Sequence, residues 1–308
     1  MPQTIVLNSS NIVANSSNSV FKYDFPQGGV NFKDDYISIQ QISIYNSVFN
    51  ITAINNNNSF SYVWIDGNTT YPVTLPDSYL SLAEINAYLQ SVMIANKHYL
   101  LTSTGQYVYL LNIQVNPSRY AYQINSFYIS TAIATTNSWT LPAGATWVLP
   151  TNPILPEFIV PATRFANLIG FSAGAYPNAT ISGTPPAQTQ TTPAVNPPYS
   201  ALSATSFSAI STSAPQIIVQ PSYLCNCSLV SNPLANPSQT IYSLTPFGVG
   251  FGELYTNALS EYSYNKIADG NYNQFTFSFV DSLGRAISFQ DPNTLILLLI
   301  KNKKELLF

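Results

Sequence analysis

The stretch from Asn273 to Lys301 constrains the fold of this chain more than any other part. Phe275, Phe277 and Phe279 occupy every second position, which is the period of a strand that buries an aromatic face against a core. The apolar run at 295–300 is far shorter than the roughly 20 residues that a membrane-spanning helix needs. It predicts a strand covered on both faces, and such an ending is typical of a β-sandwich whose last strand lies in mid-sheet.

Most of the remaining chain predicts further strands separated by turns. Within 35–49 the alternating isoleucines change parity across Gln40 and Gln41, which indicates a β-bulge. The segments 59–65 and 71–75 flank Asp66-Gly67-Asn68 and predict a hairpin. Other strands are predicted over 20–25, 99–102, 106–115, 121–129, 217–219, 223–229, 240–244, 249–254 and 286–289. Turn residues at intervals of roughly ten residues are typical of a sandwich.

One segment, 81–96, predicts an α-helix. Ser81 and Glu84 form a capping box, in which each side chain can bond the other residue's backbone N–H. The apolar residues then fall on one face at helical spacing, namely Leu82, Ile85, Leu89 and Val92 or Met93. The only histidine, His98, follows the helix end, where a cation interacts well with the helix dipole. We interpret His98 as a surface or capping residue.

Three other segments differ from the strand-rich parts in composition. Residues 1–19 are polar and predict a flexible arm that a neighbour orders. The segment 131–161 is rich in proline and predicts extended loops, and a short helix is predicted between Thr163 and Gly170. Serine, threonine, alanine and proline dominate 176–215, so this segment buries little. It is a surface loop, an inserted small domain or a segment that a neighbour orders.

Charge is the most unusual property of the composition. Charged residues make up 7% of the chain, whereas about 25% is typical of soluble proteins. Charge depletion marks the cores of protein interfaces, so we infer that other protein covers much of this surface. The alternative is that an AT-rich genome favours Asn, Tyr and Ile codons. The net charge of −3, with no basic cluster, argues against binding nucleic acid through its phosphates.

Two cysteines and one histidine supply little reactive chemistry. Cys225 and Cys227 point the same way on a predicted strand, so we interpret them as free buried thiols that do not bridge each other. A nucleophilic triad needs a base beside its serine or cysteine, and His98 has no evident partner. Zinc sites use several Cys or His ligands, and these three residues are too few. The start of the chain lacks the features of a secretory signal.

Two further candidates for a site have simpler explanations. Asp34 and Asp35 could bind calcium together with carbonyl groups, but we interpret them as the solvated start of a strand. The glycines within 247–252 lack the lysine and the helix of a phosphate loop, so we interpret this segment as a bulged strand. We therefore expect no enzyme, and we assign no catalytic, cofactor-binding or metal-ligating residue, although two carboxylates suffice for a glycosidase.

Several motifs resemble those of one group of viral proteins. They lie at 75–81 (LPDSYLS), at 165–171 (FANLIGF) followed by Tyr176-Pro177, at 264–270 (YNKIADG) and at 277–301 (FSFVDSLGRAISFQDPNTLILLLIK). These motifs resemble the minor capsid proteins of virophages and of the related Polinton-like viruses, and the last two are most similar to the penton proteins of that group. The matching residues are spread over most of the chain.

The resemblance implies an all-β, antiparallel jelly-roll sandwich with one short α-helix at about residues 81–96. Eight strands with ordinary loops use roughly 150 to 200 residues, so an inserted β subdomain or long loops are also expected. The implied organisation is a flexible N-terminal arm over 1–19, a jelly-roll capsid domain over 20–301 and a C-terminal tail over 302–308. The loop-rich or inserted Ser/Thr/Pro-rich segment falls within 131–215.

The function implied by the resemblance is structural. It is that of a homopentameric penton at the fivefold vertices of an icosahedral particle, flanked by trimers of a major capsid protein with a double jelly-roll fold. The implied location is the virion, after assembly in the host cytoplasm or a viral factory. One alternative is a minor capsid or cement protein at another shell position. Another is a carbohydrate-binding β-sandwich, a receptor-binding module that uses Tyr120, Tyr122 or Trp139, unless these aromatics belong to the core or to an interface.

Overall fold

The computed structural model describes residues 2–67, 69–116, 119–177, 206–217, 222–235, 237–258 and 263–306. In these residues the protein is an all-β structure with short helices, and every strand pairing is antiparallel. None of the helices in this part of the chain is long and apolar enough to cross a membrane.

The strands are, in chain order, β1 (Gln3–Asn8), β2 (Val20–Asp24), β3 (Val30–Phe32), β4 (Asp35–Tyr45), β5 (Ser59–Val63), β6 (Thr70–Thr74), β7 (Leu100–Leu101), β8 (Tyr107–Val108), β9 (Leu111–Asn116), β10 (Ala121–Phe127), β11 (Glu157–Val160), β12 (Gly174–Tyr176), β13 (Ser206–Ile210), β14 (Tyr223–Cys227), β15 (Thr240–Leu244), β16 (Leu254–Ala258), β17 (Asn265–Lys266), β18 (Gly270–Tyr272), β19 (Gln274–Val280) and β20 (Thr294–Asn302). The α-helices are α1 (Leu82–Ala95), α2 (Thr131–Thr136) and α3 (Arg164–Ile169).

The chain folds into two compact units. Unit 1 consists of Met1–Phe49 and Gln220–Phe308, and unit 2 consists of Asn50–Val219. Unit 2 is therefore inserted into the sequence of unit 1. This differs from the predicted single domain over 20–301 with its insertion within 131–215, because the strands from β5 to β13 pair only with one another.

Unit 1 contains eight main strands in two sheets, and the short strand β17 adds a fifth strand to one of them by pairing with β4. One sheet has the order β1-β20-β4-β16 and the other has the order β2-β19-β14-β15. If the eight strands are lettered B to I along the chain, these orders read B-I-D-G and C-H-E-F, which is the strand order of a jelly roll. The predicted jelly roll is confirmed for unit 1, and unit 2 lies between the third and the fourth of its eight main strands, D and E.

The two sheets of unit 1 enclose one core. The predicted aromatic face of β19 is confirmed, because Phe275, Phe277 and Phe279 are all buried. They belong to the same cluster of buried side chains as the aliphatic residues of the other sheet, which include Ile37, Ile39, Ile42, Ile296 and Leu298. Burying a side chain of this size contributes about 1.5–3 kcal/mol, so the alternating pattern of the two sheets is the main stabilising feature of unit 1.

β20 lies in mid-sheet, as predicted, between β1 and β4. The predicted bulge is also confirmed, because Leu297 faces Gln41 while Leu298 faces Ile39, which leaves Gln40 as the extra residue. The predicted flexible arm is wrong where β1 forms. There Ile5 and Leu7 are buried, and six residues pair with β20 in regular register.

Unit 2 has a core of its own beneath the predicted helix. Ser81 accepts a hydrogen bond from the Glu84 N–H at 3.4 Å, and the Glu84 carboxylate accepts one from the Ser81 N–H at 2.7 Å, so the capping box is confirmed. α1 lies against β9, and its buried residues are Leu82, Ile85, Leu89 and Met93. The sheets of this unit have the orders β12-β11-β5-β6, β13-β10-β9 and β7-β8. The predicted hairpin is the β5–β6 pair.

Several local predictions are wrong. The strand expected at 286–289 is reduced to isolated bridges at Ala286 and Phe289. Residues 131–161 contain α2 and β11 where only loops were predicted, since Ser130 caps α2 by accepting from the Ile133 N–H at 3.3 Å. β13 forms inside the Ser/Thr/Pro-rich segment, of which 178–205 lie outside the described residues, as do 218–219 of another predicted strand.

The remaining short elements are the helix before Gly170 and a turn after β20. The short helix before Gly170 is confirmed as α3, and Gly170 adopts φ +74°, where a Cβ would clash with the Ser213 carbonyl oxygen. In the predicted tail over 302–308, a 3₁₀ turn follows β20 at Lys303–Glu305. Asn302 caps this turn by accepting from the Lys304 N–H at 3.3 Å.

The turn after β19 is built around the buried carboxylate of Asp281. Its Oδ1 accepts from the backbone N–H groups of Leu283 and Arg285, each at 2.8 Å, and its Oδ2 accepts from Arg285 Nε at 2.6 Å. Burial alone would raise the pKa of Asp281. The hydrogen bonds from Arg285 and Leu283, together with the guanidinium charge, outweigh burial and lower this pKa below its usual value.

We expect Asp281→Asn to lower the free energy of unfolding of unit 1 at pH 7 by about 1–3 kcal/mol. Because the folded-state pKa is the lower one, the ionised carboxylate stabilises the fold above the unfolded-state pKa, and this contribution is lost as the pH falls through the folded-state value. Calorimetric melts should therefore differ less between variant and wild type at pH 3 than at pH 7. Asp24→Asn, at an exposed ion pair with Lys22, is the control and should have little effect at either pH.

Candidate assembly surface

Three exposed apolar side chains lie close together in sequence in the loop between β15 and β16 and at the start of β16. Phe247 in this loop is 90% exposed. Phe251 is also exposed and packs against Phe49, with ring centroids 6.0 Å apart, and the exposed Leu254 begins β16. Single exposed apolar residues are common, but several within eight residues of sequence form a patch that marks a site of interaction.

Hydrogen bonds hold this loop in one conformation. Asn46 donates from Nδ2 to the Val249 carbonyl at 3.0 Å, and its own carbonyl accepts from the Gly252 N–H at 2.8 Å. The Glu253 carboxylate accepts from the Gly250 N–H at 2.7 Å. The predicted bulged strand at 247–252 is wrong, because positive φ angles at two of its glycines produce turns instead. These hydrogen bonds therefore hold the loop so that the Phe247 side chain stays exposed.

The strand that follows this loop forms an edge of its sheet. Among the described strands, β16 pairs only with β4. Its sequence, LYTNA, contains no charge and no proline, and its pairing with β4 shows no bulge. Natural edge strands are usually protected by such features, because an open edge is a template for pairing with another chain. β16 is therefore an unprotected edge beside an exposed phenylalanine.

Charged residues of unit 1 lie mainly at the other end of the jelly roll. β4 runs from Asp35, which pairs with Asn302, to Tyr45, which pairs with Leu254. The Asp35 end carries an ion-paired group in which Lys266 lies 3.5 Å from Asp34 and 3.7 Å from Asp269. It also carries Lys33, Lys301, Lys303, Lys304 and Glu305.

At the end near Tyr45 the carboxylates accept hydrogen bonds within their own loops. Glu253 accepts from the Gly250 N–H, Asp281 accepts from Arg285, and Asp291 accepts from the Asn293 N–H at 2.7 Å. Glu253 is the only charged residue within 245–258, so the patch around Phe247 carries little charge. We call the loop 245–253 together with β16 the neutral flank.

No protein-family model matches the chain, and no curated protein sequence matches it. Among solved structures, the mavirus penton protein is similar over 98% of this chain and 98% of its own, with 10% sequence identity and a TM-score of 0.43. A chain of the Sputnik virophage structure is similar over 100% of both chains, with 12% identity and a TM-score of 0.39. The strand order of unit 1, and not these scores, carries the assignment of the jelly roll.

The two aspartates considered for calcium are bound within the fold. Asp35 Oδ2 accepts from the Lys33 N–H at 3.0 Å, and Asp35 Oδ1 accepts from Asn302 Nδ2 at 3.1 Å. Asp34 faces Lys266, as described above. In the part of the chain that the structure describes, no group of three or more His, Cys, Asp or Glu side chains is arranged to hold a metal ion.

The two cysteines are free and buried, as predicted. Burial raises the pKa of Cys227 to about 12 and also raises the pKa of Cys225. Because the thiolate is the reactive form, both thiols are inert while unit 1 is folded. They become reactive only when unit 1 opens, which makes them a built-in probe of its stability.

The interpretation of His98 as a surface or capping residue is wrong. Its side chain is 3% exposed and lies inside unit 2, where Nδ1 is 2.8 Å from the hydroxyl of Tyr62. Lys97 adopts φ +61°, and this left-handed residue turns the chain so that the next side chain points inward. The sequence contained one signal for this burial. The β5–β6 hairpin is rich in aromatic side chains, and these need other side chains to pack against.

The aromatic residues considered as a sugar platform do not form one surface. Trp139 is buried in the core of unit 2, whereas Tyr120 is 85% exposed. Tyr122 is half-buried, and burial raises its pKa, with smaller contributions from Tyr120 and Tyr79. Trp139 is therefore a core residue and does not belong to an exposed platform.

Proposed function

We propose that this chain is a structural capsid protein that forms a homopentameric penton at the fivefold vertices of an icosahedral virus particle. Jelly rolls occur in viral capsids, in lectins and in cupins, so the fold alone does not select among these functions. The observation that carries the proposal is the neutral flank, where a braced loop exposes Phe247 beside an unprotected sheet edge.

A closed ring requires head-to-tail contacts between two different surfaces of each subunit. Unit 1 offers two such surfaces, because β16 and β1 are the opposite edges of one sheet. β1 also exposes an apolar side chain, Val6. In this proposal the neutral flank of one copy contacts the β1 side of the next copy. Trimers of a double jelly-roll major capsid protein surround the ring. The protein is located in the virion after assembly in the host cytoplasm or a viral factory.

The proposal is tested by measuring the mass of the purified full chain in solution and by averaging electron-microscope images of the assembled form. We expect a pentamer and a fivefold ring. A chain that stays monomeric at high concentration and is absent from virus particles contradicts the proposal. A monomer found in particles away from the vertices identifies a minor capsid or cement protein instead.

We expect Phe247→Asp to weaken self-association by at least about 30-fold, which corresponds to the loss of roughly 2 kcal/mol at an interface hot spot. The side chain is almost fully exposed in the single subunit, so its replacement leaves the stability of unit 1 nearly unchanged. Sedimentation across a concentration series gives the association constant.

Leu234→Asp is the matched control, because Leu234 is 96% exposed in the loop between β14 and β15, which does not belong to the neutral flank. We expect this variant to assemble like the wild type. If both variants associate as strongly as the wild type, the neutral flank is not part of the interface.

A further inference from the structure

An aromatic cluster inside unit 2 surrounds the only histidine of the chain. The His98 imidazole stacks on the Trp64 indole, with centroids 4.9 Å apart and planes 10° apart. Tyr71 and Tyr62 meet the imidazole edge to face, at 4.4 Å and 5.7 Å, and Trp147 meets Trp64 edge to face at 5.3 Å. We call these five residues the His98 cluster.

The cluster joins segments that are distant in sequence. Tyr62 and Tyr71 come from β5 and β6, and His98 follows the end of α1. The backbone N–H of His98 donates to the Met93 carbonyl at 2.7 Å, which ties the backbone at His98 to the last turn of the helix. Trp147, from the loop between α2 and β11, donates from Nε1 to the Lys97 carbonyl at 2.8 Å. The cluster therefore fastens the C-terminal end of α1 to the β5–β6 hairpin.

Hydrogen bonds link the His98 imidazole to Tyr62 and, through Tyr62, to Asn96. Asn96 donates from Nδ2 to the Tyr62 hydroxyl oxygen at 3.1 Å, so that oxygen acts as an acceptor there. The Tyr62 hydroxyl oxygen also lies 2.8 Å from His98 Nδ1, and in the neutral tautomer that is protonated on Nε2 this hydroxyl donates to Nδ1. As a donor, the Tyr62 hydroxyl bonds only an imidazole whose Nδ1 carries no proton.

The ionisable groups around His98 do not favour its charged form. The nearby carboxylate is that of Asp66, in the turn between β5 and β6, and it accepts from the Tyr71 hydroxyl. Burial lowers the pKa of His98 to about 4, against the smaller opposing effect of Asp66. Burial also raises the pKa values of Tyr62 and Tyr71, so both phenols stay neutral. Lys97, the residue before His98, adds a positive charge.

We propose that the His98 cluster is an acid-sensitive latch, in which one proton on His98 Nδ1 breaks the bond to Tyr62 and releases the end of α1 from the β5–β6 hairpin. A protonated Nδ1 is a donor, so the Tyr62 hydroxyl can no longer donate to it, and the proton of this hydroxyl loses its acceptor. A buried imidazolium between Trp64 and Tyr71 is also poorly solvated. The inference concerns contacts within unit 2 and does not depend on assembly into a capsid.

The direction of the pH effect follows from the two pKa values. The pKa of His98 is about 4 in the folded chain and 6.5 for the unperturbed side chain, so the unfolded state binds the proton first as the pH falls. The stability that neutral His98 gives to unit 2 is complete above about pH 6.5 and is lost progressively between about pH 6.5 and 4. At tenfold per pH unit, the unfolding constant of unit 2 should rise up to about 300-fold across this interval.

The natural sequence contains a separate probe for each unit. All three tryptophans, Trp64, Trp139 and Trp147, belong to unit 2, whereas Cys225 and Cys227 belong to unit 1. Urea unfolding of the full chain is therefore followed by tryptophan fluorescence for unit 2, and by reaction with a pyridyl disulfide that is active in acid for unit 1. The single histidine also gives one imidazole proton resonance in NMR, from which its pKa is read directly.

We expect the His98 resonance to titrate near pH 4, and the fluorescence midpoint of unit 2 to fall between pH 7 and 4.5 while the thiol midpoint of unit 1 changes much less. His98→Gln should remove most of the fluorescence shift. Tyr62→Phe, which keeps the ring but removes the hydrogen bond to the neutral imidazole, should raise the pKa of His98. This second variant and the wild-type titration decide the question if His98→Gln fails to fold.

A His98 resonance that titrates near pH 6.5 in the folded wild type would overturn the proposal. An unchanged pH dependence of unit 2 in His98→Gln would also overturn it. Loss of both units at the same pH would show that acid acts elsewhere in the chain.

Discussion

Replacing Phe277 with alanine is expected to lower the free energy of unfolding of unit 1 by about 3–5 kcal/mol. Phe277 is fully buried on β19, in the middle of the core. Its ring meets Phe21 and Phe279 edge to face, with centroids 6.5 Å and 5.3 Å away. Alanine leaves a cavity that these rings cannot close. The loss is a large part of the roughly 5–15 kcal/mol that stabilises a typical domain.

The two thiols of unit 1 provide the measurement. Cys227 lies opposite Phe277 in the ladder between β14 and β19, so opening of this ladder exposes a thiol next to the substitution. The urea concentration at which both cysteines react should fall in the variant. Thr276→Ala, at the neighbouring exposed position of the same strand, is the control and should stay within about 0.5 kcal/mol of the wild type. An unchanged midpoint in Phe277→Ala would mean that β19 is not central to the core.

Replacing Phe60 with alanine is expected to lower the free energy of unfolding of unit 2 by a similar amount, about 3–5 kcal/mol. The Phe60 ring on β5 stacks with Phe158 of β11 and with Phe165 of α3, each with centroids 4.8 Å apart. One side chain therefore holds two strands and a helix together. Its removal leaves both stacked neighbours without a partner on that side.

Tryptophan fluorescence during urea unfolding measures this second effect, because every tryptophan of the chain is in unit 2. Ser61→Ala changes the next position of β5, whose side chain is only partly buried, and serves as the control. A shift of the same size in the control would show that β5 itself, and not the stack, determines stability. Recording thiol reactivity in the same samples also tells whether the two units unfold independently.

The elements that could be predicted from sequence are those encoded by local periodicity. The aromatic alternation of β19, the apolar run of β20 and the capping box of α1 each lie within one short segment, so the residues that form the element are also the ones that reveal it. The bulge at Gln40 was visible for the same reason, since it changes the parity of the isoleucines within β4.

Features that depend on distant contacts could not be predicted in the same way. The strands of unit 2 have the same alternation as those of unit 1, and only their pairing partners separate the two units. β1 has just two buried residues and is followed by a segment rich in Asn and Ser, so this part of the chain resembles a free arm in composition. His98 is buried by aromatic residues more than 25 positions away, whereas the sequence around it suggested only a helix end.

The neutral flank was missed because its glycines have two interpretations. Glycine between apolar residues fits a bulged strand, but three glycines at alternate positions also fit successive turns. The deciding groups are Asn46 and Glu253, whose hydrogen bonds select the turns. Asn46 is about 200 residues away in sequence, so local reasoning could not include it.

The position of the insertion has a consequence for how the chain is made. When the ribosome has produced β4, the partners β20 and β16 do not yet exist, and all of unit 2 is synthesised before β14 emerges. Unit 2 can complete its own core during this interval. The early strands of unit 1 still lack their partner strands, and their apolar side chains stay exposed. Late, long-range pairing of this kind is slow and prone to aggregation, so chaperones should bind the nascent chain until residues 294–302 are available.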